Sequence, residues 1–166
     1  VDIEESEDGQ YIVTTDHGTQ HKAPVVAIAG GLGVFSPRKP PVANIENYER
    51  KGINYMVKDP EHYRDKRVVI SGGGDSALDW AIHLSDGIAS EVSLIHRSQR
   101  FRAHPDSVQR AMDLASAGRM KIFLDSEVEQ IYGNGVLNGV VLKSAGQELK
   151  LDTDEWLPLF GLAPKL

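Results

Sequence analysis

The sequence predicts an α/β fold, in which a parallel sheet has helices on both faces and an antiparallel three-stranded meander is appended to it. Three observations support this fold class. A continuous apolar run at residues 67–70 is typical of a strand that is buried on both faces. A helical period over residues 75–84 and a second apolar run at 91–95 complete a strand–helix–strand unit of about thirty residues. Further along, three strand-like runs are separated by glycine-containing turns.

The first 41 residues predict short strands and a linker. Alternating runs at 11–14 and 24–29 flank a turn-like stretch at 16–19, which indicates a hairpin followed by a buried strand that ends at Gly30 and Gly31. The proline-rich stretch at 36–41 is too stiff and too poor in donors for a sheet interior, and is the best linker candidate. Because a hairpin and one strand cannot bury a core, we expect this piece to belong to a domain whose remainder is absent.

Residues 42–161 carry the main predicted domain. After the strand at 67–70, the first helix places its apolar side chains mainly on one side: Ala77, Leu78, Ala81, Ile82 and Leu84. A second helix starts at Pro105, has Asp106 near its positive end and stops at Gly118, with four apolar residues facing inward: Val108, Ala111, Met112 and Ala115. Strands are predicted at 91–95, 121–124, 128–132, 136–143, 148–151 and 155–160.

Composition excludes several classes of function. Of the 166 residues, 40% are hydrophobic and 25% are charged, which is ordinary for a soluble globular protein. The chain has no cysteine, so disulfides, thiolate metal sites and redox pairs of the C-x-x-C type are excluded. A net charge of -6 argues against a general nucleic-acid binder. No apolar run is long enough to span a bilayer and the N-terminus is acidic, so we expect a cytoplasmic protein that does not bind membranes.

The segment after the first parallel strand has the pattern of a phosphate-binding turn, with six candidate residues: Gly72, Gly73, Gly74, Asp75, Ser76 and Ala77. The first glycine permits a tight turn, the glycine at 74 lets a pyrophosphate approach the backbone, and the alanine lets the helix lie close to the strand. Free N–H groups at the helix start, and the serine hydroxyl, can donate to the anion. The carboxylate at 75 repels phosphate, so we expect it to cap the helix or order the backbone. The alternative is a glycine-rich turn that binds no ligand.

The end of the second strand favours NADP(H) over NAD(H). In NAD-binding versions of the motif, an acidic residue about twenty positions beyond the glycines binds the ribose hydroxyls. Here His96 stands 24 residues after Gly72 and is followed by Arg97, with no carboxylate nearby. Guanidinium groups that bind a 2'-phosphate favour NADP, and Arg97 and Arg102 are the first candidates, with a further bond from His96. Arg100 is expected to point to water. The alternative is a solvated basic loop.

These segments resemble the pyridine-nucleotide half of the thioredoxin-reductase-like flavoproteins, and so predict a Rossmann-like sheet. The resemblance rests on the glycine-rich motif, on His96-Arg97 and on residues 101–103, and covers nearly the whole chain. Within that group the chain is most similar to the ferredoxin (flavodoxin):NADP reductases, because residues 52–59 contain no C-x-x-C and because residues 101–108 and 157–166 match. Ser98 stands where related sequences often have a second arginine, which weakens the expected preference for NADP.

The resemblance implies a dimeric FAD-containing parent enzyme that passes electrons between NADPH and ferredoxin or flavodoxin. It further implies that residues 1–41 are a remnant of the FAD-binding domain with its linker, 42–161 the NADP-binding domain, and 162–166 the start of the return to the FAD domain. Gly30, Gly31 and Gly161 resemble positions near the two cofactors. Because the FAD fingerprints are missing, we expect this chain to be a fragment that binds NADP(H), does not hold FAD tightly and is inactive by itself. The competing hypothesis is a flavin-free regulatory domain that senses NADP(H).

The remaining chemistry-bearing residues predict no catalytic or metal site. Structural or solvated roles are expected for His17, His21, His62 and His83. Trp80 and Trp156 are expected in the core or at a domain interface. His104, which precedes Pro105, is expected to cap its helix rather than bind a ligand.

Overall fold

The computed structural model describes residues 1–29 and 35–164, so the predicted strand end at Gly30 and Gly31 lies outside the described residues. Two compact units make up the chain. One comprises residues 1–34 with 164–166, and the other comprises residues 35–163. The assignment of the two pieces to FAD-binding and NADP-binding domains stays a prediction.

The first unit contains a small antiparallel sheet of three strands in the order β1, β2, β3: β1 (Asp2–Glu5), β2 (Tyr11–Thr14) and β3 (Gln20–Ala23). The predicted hairpin is confirmed as β2–β3, closed by hydrogen bonds between Thr15 and Thr19 and between Gly18 and Thr15. Strand β1 was not predicted. Its acidic sequence has no strand pattern, and it forms because a turn at Ser6–Gln10 folds it back onto β2.

The buried strand predicted at 24–29 is wrong. These residues form no strand, and Val25 and Ile28 are 76% and 84% exposed. An apolar run becomes a strand only where a neighbouring strand accepts its hydrogen bonds and a layer covers its side chains. Neither exists among the residues that the structure describes.

The second unit is built on a four-stranded parallel sheet. Its order is β11, β5, β6, β7, with β5 (Arg67–Ser71), β6 (Glu91–Ile95), β7 (Lys121–Phe123) and β11 (Glu155–Pro158). Strand β5 leads into helix α1 (Asp75–Ser85), and β6 leads through a loop into helix α2 (Pro105–Ser116). The predicted strand–helix–strand unit is therefore confirmed, with all five inward residues of α1 buried.

The predicted meander is confirmed as a separate antiparallel sheet in the order β10, β9, β8: β8 (Ser126–Gly133), β9 (Leu137–Ser144) and β10 (Gln147–Asp152). Two short strands, β4 (Phe35–Pro37) and β12 (Leu162–Pro164), pair as a two-stranded sheet. Two 3-10 helices that were not predicted lie before β5, at Ile45–Tyr48 and Pro60–Tyr63.

Alternate residues of the parallel strands point to two different layers. Val68, Ile70, Val92 and Leu94 pack with residues of α1 and α2. The intervening residues pack with β9 and with the first 3-10 helix: Val69, Ile95 and Trp156. The parallel sheet and meander are thus as predicted, but the expectation of helices on both faces needs correction. Both α-helices lie on one face, because the meander and a 3-10 helix cover the other.

Helix α2 buries a slightly different stripe from the predicted one. Ala111 is fully buried, whereas Met112, predicted to face inward, is 41% exposed. Successive helical residues are about 100° apart around the axis, so a stripe centred on Ala111 turns Met112 away and brings in Leu114 instead. Gly118, with φ +74°, follows the last turn as predicted, and its N–H donates to the Ala115 carbonyl at 3.0 Å.

Candidate functional site

The candidate residues follow the carboxyl ends of three parallel strands. Gly72, Gly73 and Gly74 follow β5, His96 and Arg97 follow β6, and Gly161 comes three residues after β11. Parallel strands end at the same edge, and β5 lies between β6 on one side and β11 on the other. The strand order changes direction at β5, because the chain continues to β6 and β7 on one side of β5 and later adds β11 on the other. Open α/β sheets bind ligands in a crevice outside the carboxyl ends of the strands at such a point.

Gly72 is at a position where only glycine fits. Its φ is +155°, and a Cβ would lie 2.7 Å from the Leu159 carbonyl oxygen and 2.8 Å from the Ala77 Cβ. Its own N–H donates to the Ile95 carbonyl at 3.0 Å. The close approach joins the ends of β5 and β11 to the first turn of α1, as expected for the first glycine of a phosphate-binding turn.

The start of α1 is open and has no side-chain cap. Gly74 is the N-cap residue, with φ -96°, and a Cβ there would meet no atom within 4 Å. Among the described residues, no acceptor binds the N–H groups of Asp75 and Ser76, whose side chains are exposed. Ala77 is buried against the sheet and its N–H donates to the Gly74 carbonyl. Free donors, open space and the positive end of the helix suit a bound anion.

Asp75 orders the backbone, as the sequence predicts. Its Oδ1 accepts a hydrogen bond of 2.7 Å from the His104 N–H, which joins the start of α1 to the residue before α2. The predicted cap by His104 is also confirmed, because its Nδ1 accepts from the Asp106 N–H at 3.3 Å. One turn further along, the Ser107 hydroxyl donates to Asp79 Oδ1 at 3.1 Å.

His96 lies inside the site rather than at its surface. Its ring is stacked on Phe101, with centroids 5.0 Å apart and planes at 20°, and its Nε2 is 2.9 Å from the Arg100 carbonyl oxygen. The residue is only 7% exposed, and its ring fills the space that a Cβ at Gly73 would need. The Nε2 atom is therefore already engaged within the protein, and the phosphate bond expected from His96 stays a prediction.

The two arginines expected to bind a 2'-phosphate are exposed. Arg97 directly follows β6, and the Arg102 N–H donates to the Gly73 carbonyl at 2.7 Å, so the loop between them lies against the glycine-rich turn. In residues 1–29 and 35–164, neither guanidinium group, nor that of Arg100, lies within ion-pair distance of a carboxylate. Uncompensated guanidinium groups beside a turn with free N–H donors form a locally positive surface on an acidic chain.

Gly161 is exposed, with φ +85°, and its carbonyl accepts from the Arg38 N–H at 3.1 Å. Its proposed contact with a cofactor stays a prediction. Sequence reasoning missed the contribution of Leu159, whose carbonyl confines Gly72, and the stacking of Phe101 on His96. Phe101 belongs to the motif that carries the family resemblance, whereas nothing in the sequence indicates a role for a backbone carbonyl.

Ion pairs lie at the amino-terminal ends of β5 and β11. Glu155 is buried and accepts from Lys66 Nζ at 2.8 Å and from Asn54 Nδ2 at 3.1 Å, with His62 Nε2 at 2.7 Å. This confirms a structural role for His62. Trp156, fully buried in the second layer, confirms the core position predicted for it.

Arg67 and Asp154 form a second such pair, with two guanidinium nitrogens 2.7 and 3.1 Å from the carboxylate oxygens. The hydrogen bonds from Arg67 hold the pKa of Asp154 below its usual value.

Among the described residues, no group of three or more histidine, aspartate and glutamate side chains is placed to bind a metal ion. None of the described helices has the length and apolar character needed to cross a membrane.

Comparison with known proteins shows the family to which the chain belongs. The family model described as pyridine nucleotide-disulphide oxidoreductase matches residues 1–164. Curated relatives include ferredoxin–NADP reductase 2 of Christiangramia forsetii, 56% identical over 99% of this chain and 47% of the relative, and the ferredoxin–NADP reductase of Flavobacterium johnsoniae, 52% identical with the same coverage. The chain spans about half the length of the curated relatives it matches.

Solved structures confirm the predicted Rossmann-like fold. Thioredoxin reductase of Streptococcus pyogenes matches with a TM-score of 0.71 and 27% identity, over 96% of this chain and 51% of the other. Thioredoxin reductase of Lactococcus lactis matches in fold with a TM-score of 0.77, over 97% of this chain and 52% of the other. The 166 residues contain no cysteine. The resemblance to thioredoxin-reductase-like ferredoxin:NADP reductases is thus confirmed, and the chain belongs to the pyridine nucleotide-disulphide oxidoreductase family.

Proposed function

We propose that this chain is the NADP(H)-binding domain of a FAD-dependent ferredoxin or flavodoxin:NADP oxidoreductase, and that it orients the nicotinamide for hydride exchange with the flavin. Support comes from relatives that carry the name ferredoxin–NADP reductase at 52% and 56% identity. Because the chain corresponds to about half of those relatives, the activity of the whole protein belongs to this proposal.

One observation carries the proposal. The start of α1 has free N–H donors next to an uncrowded Gly74, and the exposed Arg97 and Arg102 stand on the loop beside it. A pyrophosphate needs close backbone approach and unpaired donors, and a 2'-phosphate needs guanidinium groups. Both kinds of donor lie at one edge of the sheet, and NADP(H) carries both a pyrophosphate and a 2'-phosphate.

The residues present therefore fit NADP(H). Gly74, Asp75 and Ser76 would offer backbone N–H groups to the pyrophosphate, and Ser76 would add its hydroxyl. Arg97 and Arg102 would hold the 2'-phosphate. When bound, the nicotinamide supplies a hydride, whose transfer needs alignment rather than a protein acid or base. The task of these residues is to fix the nucleotide at the pyrophosphate and at the 2'-phosphate, and so to limit the positions open to the nicotinamide.

The proposal extends to the parent protein. FAD would be held by the rest of the flavin domain, of which residues 1–41 and 162–166 would be parts, with residues 42–161 as the NADP(H) domain. The chain by itself would then be inactive, because hydride exchange needs the flavin. The parent would be a cytoplasmic homodimer with ferredoxin or flavodoxin as its electron carrier, and without nucleic-acid or membrane partners.

Calorimetric titration of the 166-residue chain with NADP and with NAD, at low and at moderate salt, tests the binding function. We expect tighter binding of NADP, with an advantage that shrinks as salt screens the arginines. Equal affinity for both nucleotides would remove the 2'-phosphate assignment. Absence of binding by a chain that is folded by circular dichroism would contradict the proposed function of this chain.

A further inference from the structure

The loop from residue 97 to residue 104, here called the arginine loop, is attached to the glycine-rich turn at two points. The Arg102 N–H donates to the Gly73 carbonyl at 2.7 Å, and the His104 N–H donates to Asp75 Oδ1 at 2.7 Å. The first bond joins two backbone groups. The second depends on a side chain, and is therefore the attachment that a single substitution can remove.

The Asp75 carboxylate does not cap its own helix. Helix α1 has no side-chain cap, and Oδ1 of Asp75 is turned towards the backbone of His104. A carboxylate beside a phosphate site weakens anion binding by repulsion. Its presence at the first residue of α1 therefore needs a compensating role, and the bond to His104 is the contact that the structure shows for it.

We propose that the side chain of Asp75 has a positioning role: its carboxylate sets the preference for NADP over NAD without itself touching either nucleotide. It does so by holding the arginine loop in the conformation in which Arg97 and Arg102 stand beside the glycine-rich turn. This inference rests on the proposed NADP(H)-binding function.

The expected effect is selective for a physical reason. NAD and NADP share the pyrophosphate, which lies at the glycine-rich turn, but only NADP carries the phosphate that the arginine loop would hold. In a looser loop the arginine side chains and their backbone lose more conformational entropy when they bind the 2'-phosphate, so this binding becomes weaker. The contacts to the pyrophosphate stay in place. Removal of the Asp75 carboxylate should therefore reduce the ratio of the NAD to the NADP dissociation constant.

Three variants separate the hydrogen bond from the charge and from general stability. Asp75→Ala removes both the acceptor and the charge, whereas Asp75→Asn removes the charge and keeps an Oδ1 acceptor for the His104 N–H. Asp79→Ala is the matched control, because it removes another hydrogen bond between α1 and α2, from Ser107, that lies outside the arginine loop. For each chain we would measure the dissociation constants of NADP and NAD by calorimetry and the melting temperature.

We expect Asp75→Ala to reduce the ratio of NAD to NADP dissociation constants by about three- to tenfold, the value of one hydrogen bond of ordinary strength. Asp75→Asn and Asp79→Ala should keep the ratio within about twofold of the unsubstituted chain, since each retains the bond to His104. In Asp75→Asn, the loss of the negative charge should at most strengthen the binding of NADP and of NAD by the same factor.

The results that overturn the inference are distinct from those that overturn the proposed function. If the unsubstituted chain prefers NADP and Asp75→Ala retains the full preference, the inference is wrong and the binding function stands. The same holds if Asp75→Asn loses the preference as fully as Asp75→Ala, because charge would then be the cause. If the unsubstituted chain binds neither nucleotide, or binds both equally, the proposed function fails and takes the inference with it.

Discussion

Substitution of Gly72 by alanine adds one methyl group at the most confined point of the glycine-rich turn. The new Cβ would lie 2.7 Å from the Leu159 carbonyl oxygen and 2.8 Å from the Ala77 Cβ, on a backbone with φ +155°. Neither neighbour is the far end of a flexible side chain, so the backbone itself must shift. We expect a cost of about 1 kcal/mol or more from the backbone conformation and about 1 to 3 kcal/mol from overpacking, together about 2 to 4 kcal/mol.

For a chain of this length, that loss lowers the melting temperature by roughly 4 to 16 °C, measured by circular dichroism. Gly74→Ala is the matched comparison, because a Cβ there meets nothing within 4 Å and φ is -96°. Its unfolding free energy should change by less than about 1 kcal/mol. The same methyl group would stand where the pyrophosphate approaches, so Gly74→Ala should weaken NADP and NAD binding alike.

Three results would refute this reasoning. The packing at the turn would not be as the structure describes it if Gly72→Ala had the same melting temperature as the unsubstituted chain. The same would follow if Gly74→Ala were destabilised as much as Gly72→Ala. If Gly74→Ala bound NADP with unchanged affinity, the pyrophosphate would not lie over Gly74.

Two further predictions concern charge. Arg97→Ala should weaken NADP binding by about 1.5 to 3 kcal/mol, or tenfold to a hundredfold, and leave NAD binding nearly unchanged. Arg100→Ala is the control, because its side chain is expected in water, and it should change the affinity for neither nucleotide. Equal losses for both nucleotides in Arg97→Ala would contradict the 2'-phosphate role. Because Arg67 lowers the pKa of Asp154 from 3.8, their ion pair stabilises the fold above that pH, and this contribution is lost as the pH falls through the lowered folded-state pKa. Asp154→Asn should therefore have a lower free energy of unfolding than the unsubstituted chain at neutral pH, by no more than about 1 kcal/mol because both side chains are partly exposed. The difference in unfolding free energy should disappear in acid. A difference that persists there would exclude the ion pair as its cause.

Local pattern was enough to predict the elements that carry the site. The apolar run of β5, the small residues at 72, 74 and 77, and the helical period of α1 are adjacent in the chain, so their spacing alone indicates a strand, a turn and a helix. The hairpins of the meander are similarly local, because their turns contain glycine.

Contacts between distant residues could not be predicted in this way. Strand β1 and the exposed run at 24–29 went wrong because strand formation depends on a pairing partner, which local sequence does not specify. The meander's place over the second face of the sheet depends on side chains from separate segments packing together, as Val69, Leu142 and Trp156 do.

The sequence by itself therefore determined the strands and helices that carry the site, the glycine-rich turn and the basic loop after β6, since these follow from periodicity and from residue types at short spacing. The tertiary structure decided how the parts of the site are held. His96 fills the space beside Gly73 rather than facing solvent, and Asp75 binds the backbone of His104, 29 residues away. Both outcomes depend on how closely β5, β6 and the two helices pack, a distance that no local pattern encodes.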